Sequence, residues 1–177
     1  SHPYFDQAVQ CLGTWIPFFI LHRPLFENIL QTIIDAHIKI TPPPNRVFQS
    51  FYDVPLDQIR VVIVSPEPGM SIPYPACKDR TLSSWSSQGV FLMSMAWTRG
   101  GECSHRLMWE ELTRHLIQYI QEQRPNALFL LIGSETWCLS EHIPRDRVFH
   151  RKSIDKALLV EVNGCLEDPI YWDSVNF

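Results

Sequence analysis

Along the chain the apolar residues fall into short blocks separated by polar and proline-rich stretches, and two periods recur. Over residues 24–37 (PLFENILQTIIDAH), Phe26, Ile29, Leu30, Ile33 and Ile34 return at helical spacing, which predicts an amphipathic helix with Pro24 in its first turn. Residues 105–123 repeat that pattern, with Met108, Leu112, Leu116 and Ile120 on one face. The second pattern is the unbroken apolar run: Arg60-Val61-Val62-Ile63-Val64, Gly89-Val90-Phe91-Leu92-Met93 and Ala127-Leu128-Phe129-Leu130-Leu131-Ile132. Such runs predict strands covered on both faces, as in a parallel sheet. Arg147-Val148-Phe149 reads as a fourth strand, and Ala157-Leu158-Leu159-Val160 suits helix and strand equally. Thr41-Pro42-Pro43-Pro44 cannot continue a helix and predicts an extended connector. This order predicts one α/β domain over residues 1–177, with three layers (α/β/α) around a mostly parallel four-stranded sheet. Ligands of such sheets sit at the carboxyl ends of the strands. The loops beginning at Ser65, Ser94 and Gly133 are therefore where chemistry is expected.

Composition narrows the class. With 177 residues, 45% of them hydrophobic and 19% charged, the chain can bury a core and is not a disordered one. No apolar run approaches a bilayer span, so no membrane partner is expected. The first residues, Ser1-His2-Pro3-Tyr4-Phe5-Asp6, carry no basic or apolar signal-like region, and secretion is not expected. Five cysteines (Cys11, Cys77, Cys103, Cys138, Cys165) are scattered and odd in number, which argues against a disulfide framework or a four-cysteine zinc site. Buried or inert thiols in a reducing compartment are the expectation, with no metal and no cofactor. The net charge of −4 disfavours nucleic-acid binding through overall charge and leaves only a local basic patch. Fourteen prolines against seven glycines predict stiff loops and little material for a glycine-rich phosphate cradle.

The three strand-end loops, in this order, resemble those of the uracil-DNA glycosylases of the uracil-N-glycosylase type. The similarity begins at Thr41-Pro-Pro-Pro-Asn-Arg-Val-Phe and runs through Val54-Pro-Leu-Asp-Gln-Ile-Arg-Val-Val-Ile-Val. It resumes at Trp85-Ser-Ser-Gln-Gly-Val-Phe-Leu-Met-Ser, similar to the family's W-x-x-Q-G-V-L-L-L-N. It continues through Ser104-His105, Trp109-Glu110-Glu111-Leu112 and Leu130-Leu131-Ile132-Gly133-Ser134. The closing Asp168-Pro-Ile-Tyr-Trp172 resembles the family's P-I-D-W. Most of the chain is covered, and the resemblance implies the family's fold.

The family's chemistry carries over only in part. Its first strand ends in G-Q-D-P-Y-H, whose Asp positions the attacking water and whose Tyr excludes thymine. The aligned residues here are Ser65-Pro66-Glu67-Pro68-Gly69-Met70. Glu67 keeps a carboxylate but extends it by one methylene, and a shift of ~1 Å in a reacting group costs on the order of a hundredfold in rate. Gly69 in place of Tyr removes the gate and opens the pocket to 5-substituted pyrimidines. The Asn that reads the uracil edge aligns with Ser94, whose single hydroxyl cannot make a paired amide contact. Only fourteen residues separate Met70 from Trp85, where the family carries its stacking Phe and a Pro-rich DNA-compressing loop. The family's H-P-S-P-L-S segment has no counterpart: the aligned stretch reads Val148-Phe-His-Arg-Lys-Ser-Ile-Asp-Lys, and His150 and His142 are candidates by proximity alone. Base flipping needs a pocket that stacks and reads the extruded base.

Each candidate has a plainer reading. Glu67 is a shifted catalytic carboxylate or an exposed acid between two prolines. Gly133 and Ser134 touch a phosphate through backbone N–H, as the corresponding family loop does, or form a small-residue turn required by packing. Arg145, Arg147, Arg151, Lys152 and Lys156 gather with three acids into a +2 stretch that is either a DNA or partner patch or a solvated edge. His105 and His115, ten apart, suit packing better than metal binding. Trp97, just beyond the second strand, either fills the vacated pocket or anchors a partner from the surface. The resulting expectation is a glycosylase scaffold that no longer excises uracil and binds DNA or a protein of replication or repair. Pro66, Gly69, Ser94 and Trp97 would form its vestigial base pocket. The alternatives are an active glycosylase of altered base specificity using Glu67, and a protein-interaction scaffold without DNA affinity. Placement in the nucleus is implied by the resemblance only.

Overall fold

The computed structural model describes residues 9–37, 39–68 and 83–172. In chain order it contains α1 (Ile16–Leu21), α2 (Arg23–Asp35), β1 (Ile40–Thr41), α3 (Gln49–Asp53), β2 (Val61–Ser65), α4 (Ser83–Ser86) and β3 (Val90–Ser94). There follow β4 (Arg99–Gly100), β5 (Cys103–Ser104), α5 (Arg106–Gln123), β6 (Leu128–Ile132), a 3-10 helix over Ser134–His142, β7 (Val148–Arg151) and α6 (Lys156–Gly164). The stretch that suited helix and strand equally is thus a helix, α6, started by Asp155, whose side chain accepts from the Leu158 N–H.

The main sheet runs β3-β2-β6-β7 with every pairing parallel. Its register sets Val61 beside Val90 and Leu128, and Phe129 beside Val148. Because side chains alternate along a strand, the register sorts the apolar runs onto two faces. Val62, Val64, Phe91, Met93, Phe129 and Leu131 join one core with α1, α2, α3 and α5. Val61, Ile63, Val90, Leu128, Leu130 and Ile132 join a second with Leu158, Leu159 and Val162 of α6. That is the three-layer α/β/α arrangement. Burying each such large apolar side chain contributes roughly 1.5–3 kcal/mol.

The first core is dense in rings. Phe19 stacks on Phe26 at 4.5 Å, and Trp15 meets Phe51 edge-on at 4.9 Å while its Nε1 donates to the Val54 carbonyl at 2.8 Å. The predicted helix 24–37 appears as α2 with Phe26, Ile29, Leu30 and Ile33 buried, but Ile34 lies off that stripe and is 47% exposed. The cysteine expectation is corrected: Cys11, Cys103, Cys138 and Cys165 are free but exposed rather than buried, and Cys77 lies outside the described residues. No described helix is long and apolar enough to cross a membrane.

The segments that carried the resemblance are structural joints. Trp85, fully buried, donates from Nε1 to the Trp172 carbonyl at 2.8 Å and meets the Trp172 ring edge-on at 5.0 Å. Gln88 exchanges hydrogen bonds with the Tyr171 backbone, and Arg60 donates to the Asp168 carbonyl. Gly89 has φ +88, and a Cβ there would lie 2.2 Å from the Gln58 carbonyl oxygen, so no larger residue fits. The W-S-S-Q-G and D-P-I-Y-W stretches therefore clamp the chain's end across the start of β3 and hold the sheet in register.

Candidate strand-end site

At the carboxyl end of the sheet, β2 and β3 finish on facing serines. The hydroxyls of Ser65 and Ser94 lie 3.3 Å apart, and Ser65 Oγ is 3.4 Å from each of the Met93 and Glu67 carbonyl oxygens. The pairing continues past the strands: the Met95 N–H donates to Ser65 O at 2.9 Å and the Ala96 N–H to Pro66 O at 3.3 Å. This fixes the Ser65-Pro66-Glu67 turn against the loop after β3. Glu67 is half-buried, and its Oε2 is fully buried with no hydrogen-bond partner among the described residues. Leaving a carboxylate oxygen desolvated and unpaired is costly. It is therefore oriented inward, not the solvated loop acid of the plainer reading.

Gly133, ending β6, adopts φ +90. A Cβ there would sit 3.2 Å from Pro66 Cγ and 3.1 Å from Glu135 Oε2. The Gly133 N–H donates to the Arg151 carbonyl at 2.9 Å, and its own carbonyl accepts from the Thr136 N–H and hydroxyl at 3.0 and 2.7 Å. Packing and backbone geometry thus account for this glycine. Pro66, Glu67, Ser94, Gly133 and the exposed Ser134 converge at one end of the sheet, as the topology rule anticipates. Glu135, a carboxylate held over the same turn, is a member that the sequence reading passed over. Only the close approach of Pro66 to Gly133, a contact between distant segments, reveals it.

Other candidates lie elsewhere. Trp97 is not a surface anchor: it is 6% exposed, stacked on Trp109 at 4.8 Å, and packed against Phe26 and Phe51. Its Nε1 donates to Thr113 Oγ1 at 3.0 Å, and Thr113 donates onward to the Met95 carbonyl at 2.9 Å. Trp97 therefore supports the β3 loop from within the first core.

The basic stretch divides between the two ends of the sheet. Arg147 bonds the Asn126 carbonyl and amide oxygens at 3.4 and 3.3 Å, just before β6, so it and the exposed Arg145 stand at the amino end of the sheet, away from Glu67. His142 is there too, its carbonyl accepting from Gln121 at the close of α5 at 2.7 Å. Arg151 and Lys152 do reach the carboxyl end, but Arg151 is paired with Glu161 of α6 at 2.7 Å. His150 sits one residue short of the end of β7, edge-on to Trp137 at 6.1 Å. Gly69, Met70 and residues 71–82 lie outside the described residues.

His105 and His115 have other partners. His105 Nδ1 is 2.8 Å from Thr98 Oγ1, which also accepts from Trp109 Nε1 at 2.8 Å. His115 stacks on His22. Among the described residues no three His, Cys, Asp or Glu side chains are arranged to hold a metal ion.

Comparison with known proteins bears on the fold. No family model matches the chain. The chain is 28% identical over 174 residues to a uracil-DNA glycosylase of Pseudomonas putida strain W619, covering 79% of this chain and 76% of that protein. It is 29% identical over 163 residues to a uracil-DNA glycosylase of Mannheimia succiniciproducens, covering 71% and 73%. Among solved structures, the mimivirus uracil-DNA glycosylase superposes with a TM-score of 0.74 at 18% identity, covering 93% of this chain and 89% of that one. The enzyme from Nitratifractor salsuginis superposes with a TM-score of 0.60 at 12% identity, covering 85% and 88%. The chain is a sequence relative of the uracil-DNA glycosylases and carries their fold.

Proposed function

We propose that this chain is a uracil-DNA-glycosylase-fold protein of DNA repair or replication that no longer excises uracil and serves as a binding module for DNA. The observation that carries the reading is the end of β3. At the position where the resemblance places an amide, the chain has Ser94, and its hydroxyl faces the Ser65 hydroxyl at 3.3 Å. A short hydroxyl already engaged with a neighbour supplies no paired donor and acceptor for a base edge, and paired polar contacts of this kind are what give strong discrimination. The imidazole candidates support the same reading, since His150 packs on Trp137 and His142 stands at the opposite end of the sheet.

One observation favours a second reading, an active glycosylase with altered base specificity. The buried Glu67 Oε2, without a hydrogen-bond partner among the described residues, is a carboxylate oxygen suited to orient a water. Incubation with single- and double-stranded DNA bearing uracil, thymine mismatches or other 5-substituted pyrimidines separates the two. The first reading expects no abasic product from any of them. Turnover that disappears in Glu67→Ala establishes the second and removes the first. DNA affinity is read by titration at rising salt, where a phosphate-driven contact weakens steeply. No binding at low salt would leave the protein-interaction scaffold as the surviving reading.

A further inference from the structure

Far from the strand ends, two imidazoles lie face to face. His22 occupies the break between α1 and α2, with φ −105 and ψ 16, and its ring stacks on His115 of α5 at 4.5 Å with an interplanar angle of 23°. The other side of His22 meets the Phe18 ring at 4.8 Å. Phe18 in turn packs on Tyr119 of α5 at 5.1 Å, so the pair marks the seam between the N-terminal helices and α5.

The charged groups around the seam are few among the described residues. Glu111, one turn before His115 on α5, lies 3.5 Å from its Nε2. On α2, Arg23 and Glu27 pair with each other at 3.0 Å. His115 also lines an open polar groove beside Arg114, Gln118 and His142, which gives it access to solvent protons. Glu111 and Glu122 line that groove as well.

We propose that the His22–His115 stack is an acid-released clasp, which docks α1 and α2 on α5 when at most one ring is charged and loosens them when both are. Parallel rings in contact set like charges face to face when both are protonated. Burial, reinforced by the neighbouring His115, holds the His22 pKa below its ordinary 6.5, with Glu111 acting weakly in the opposite sense. The sign follows. When the seam opens, His22 regains its ordinary proton affinity, so the opened state binds more protons than the closed one. Opening is then favoured as pH falls below about 6.5 and levels off below the depressed native pKa.

The test is native-state hydrogen exchange between pH 7.5 and 5.0, with protection factors corrected for the intrinsic pH dependence of exchange. In the wild type, the opening constant for amides of residues 16–35 should rise as pH falls below 6.5, by less than the roughly tenfold per pH unit that one full extra proton would give. Amides of α6, on the far face of the sheet, should keep their protection. His22→Gln and His115→Gln, each verified as folded by wild-type α6 protection at pH 7.5, should both flatten the slope. An equal slope in the wild type and both variants overturns the clasp. So does a loss of α6 protection in parallel with α1 and α2, because the effect would then be global. Neither outcome depends on whether the strand-end site binds or cleaves DNA.

Discussion

Ser94 and Trp97 stand three residues apart on one loop, yet they belong to different regimes of the molecule. Trp97 lies in the ring-filled core beneath the sheet, held by stacking and by a hydrogen bond to Thr113. Ser94 faces the strand-end site, where hydroxyls, a desolvated carboxylate oxygen and a left-handed glycine meet. The comparison teaches where divergence is tolerated. Rings in the core touch many neighbours and can change only together, so this region keeps the scaffold. At the strand ends polar groups and backbone turns set the contacts instead. The clamp of Trp85, Gly89 and Trp172 belongs with the core in this respect, which is why the resemblance survives in it.

That contrast can be broken or sharpened by substitution. Trp97→Ala should cost about 3–5 kcal/mol in urea unfolding, because it removes a buried ring from a packed cluster. A loss below about 1 kcal/mol would mean the ring is not part of the core. Gly133→Ala should cost roughly 1–3 kcal/mol, since it combines a positive φ with contacts of 3.1 and 3.2 Å to Glu135 and Pro66. Glu67→Gln should have the opposite sign, leaving stability unchanged or raising it by up to about 1 kcal/mol, because the amide replaces a desolvated carboxylate oxygen that has no partner among the described residues. A clear destabilisation would show that Glu67 is structural, and would place the strand ends with the core after all. Arg147→Ala should change stability by less than about 0.5 kcal/mol and leave any DNA affinity intact, since its contacts to Asn126 are exposed and at the far end of the sheet. Salt-dependent DNA titration of that variant beside Lys152→Ala tells which end of the sheet carries a phosphate contact.

Much of the fold was legible because its elements have a strong period. The runs at 60–64, 89–93 and 127–132 became β2, β3 and β6, and the helical spacings became α2 and α5. Elements without a period were not legible. Helix α1 is six residues long with two prolines near it, and β1, β4 and β5 have two residues each. The long 3-10 helix over Ser134–His142 carries no amphipathic stripe, and it is this segment that takes His142 to the opposite end of the sheet. The loops beginning at Ser65, Ser94 and Gly133 could be named from the topology rule, because strand ends are where parallel sheets expose their loops, whereas Glu67 was singled out by the resemblance. His22 could not be named, because it acquires its neighbour His115 from a segment distant in the chain.

The α/β order and the strands that must be buried follow from the sequence without further help. These are properties of local period and composition, which act over a few residues. Tertiary structure alone decided that Trp97 faces inward, that the basic stretch divides between the two ends of the sheet, that Glu67 keeps one oxygen buried and unpaired, and that His22 lies on His115. Each of those depends on which distant surfaces meet, and burial and charge pairing arise only once they have met.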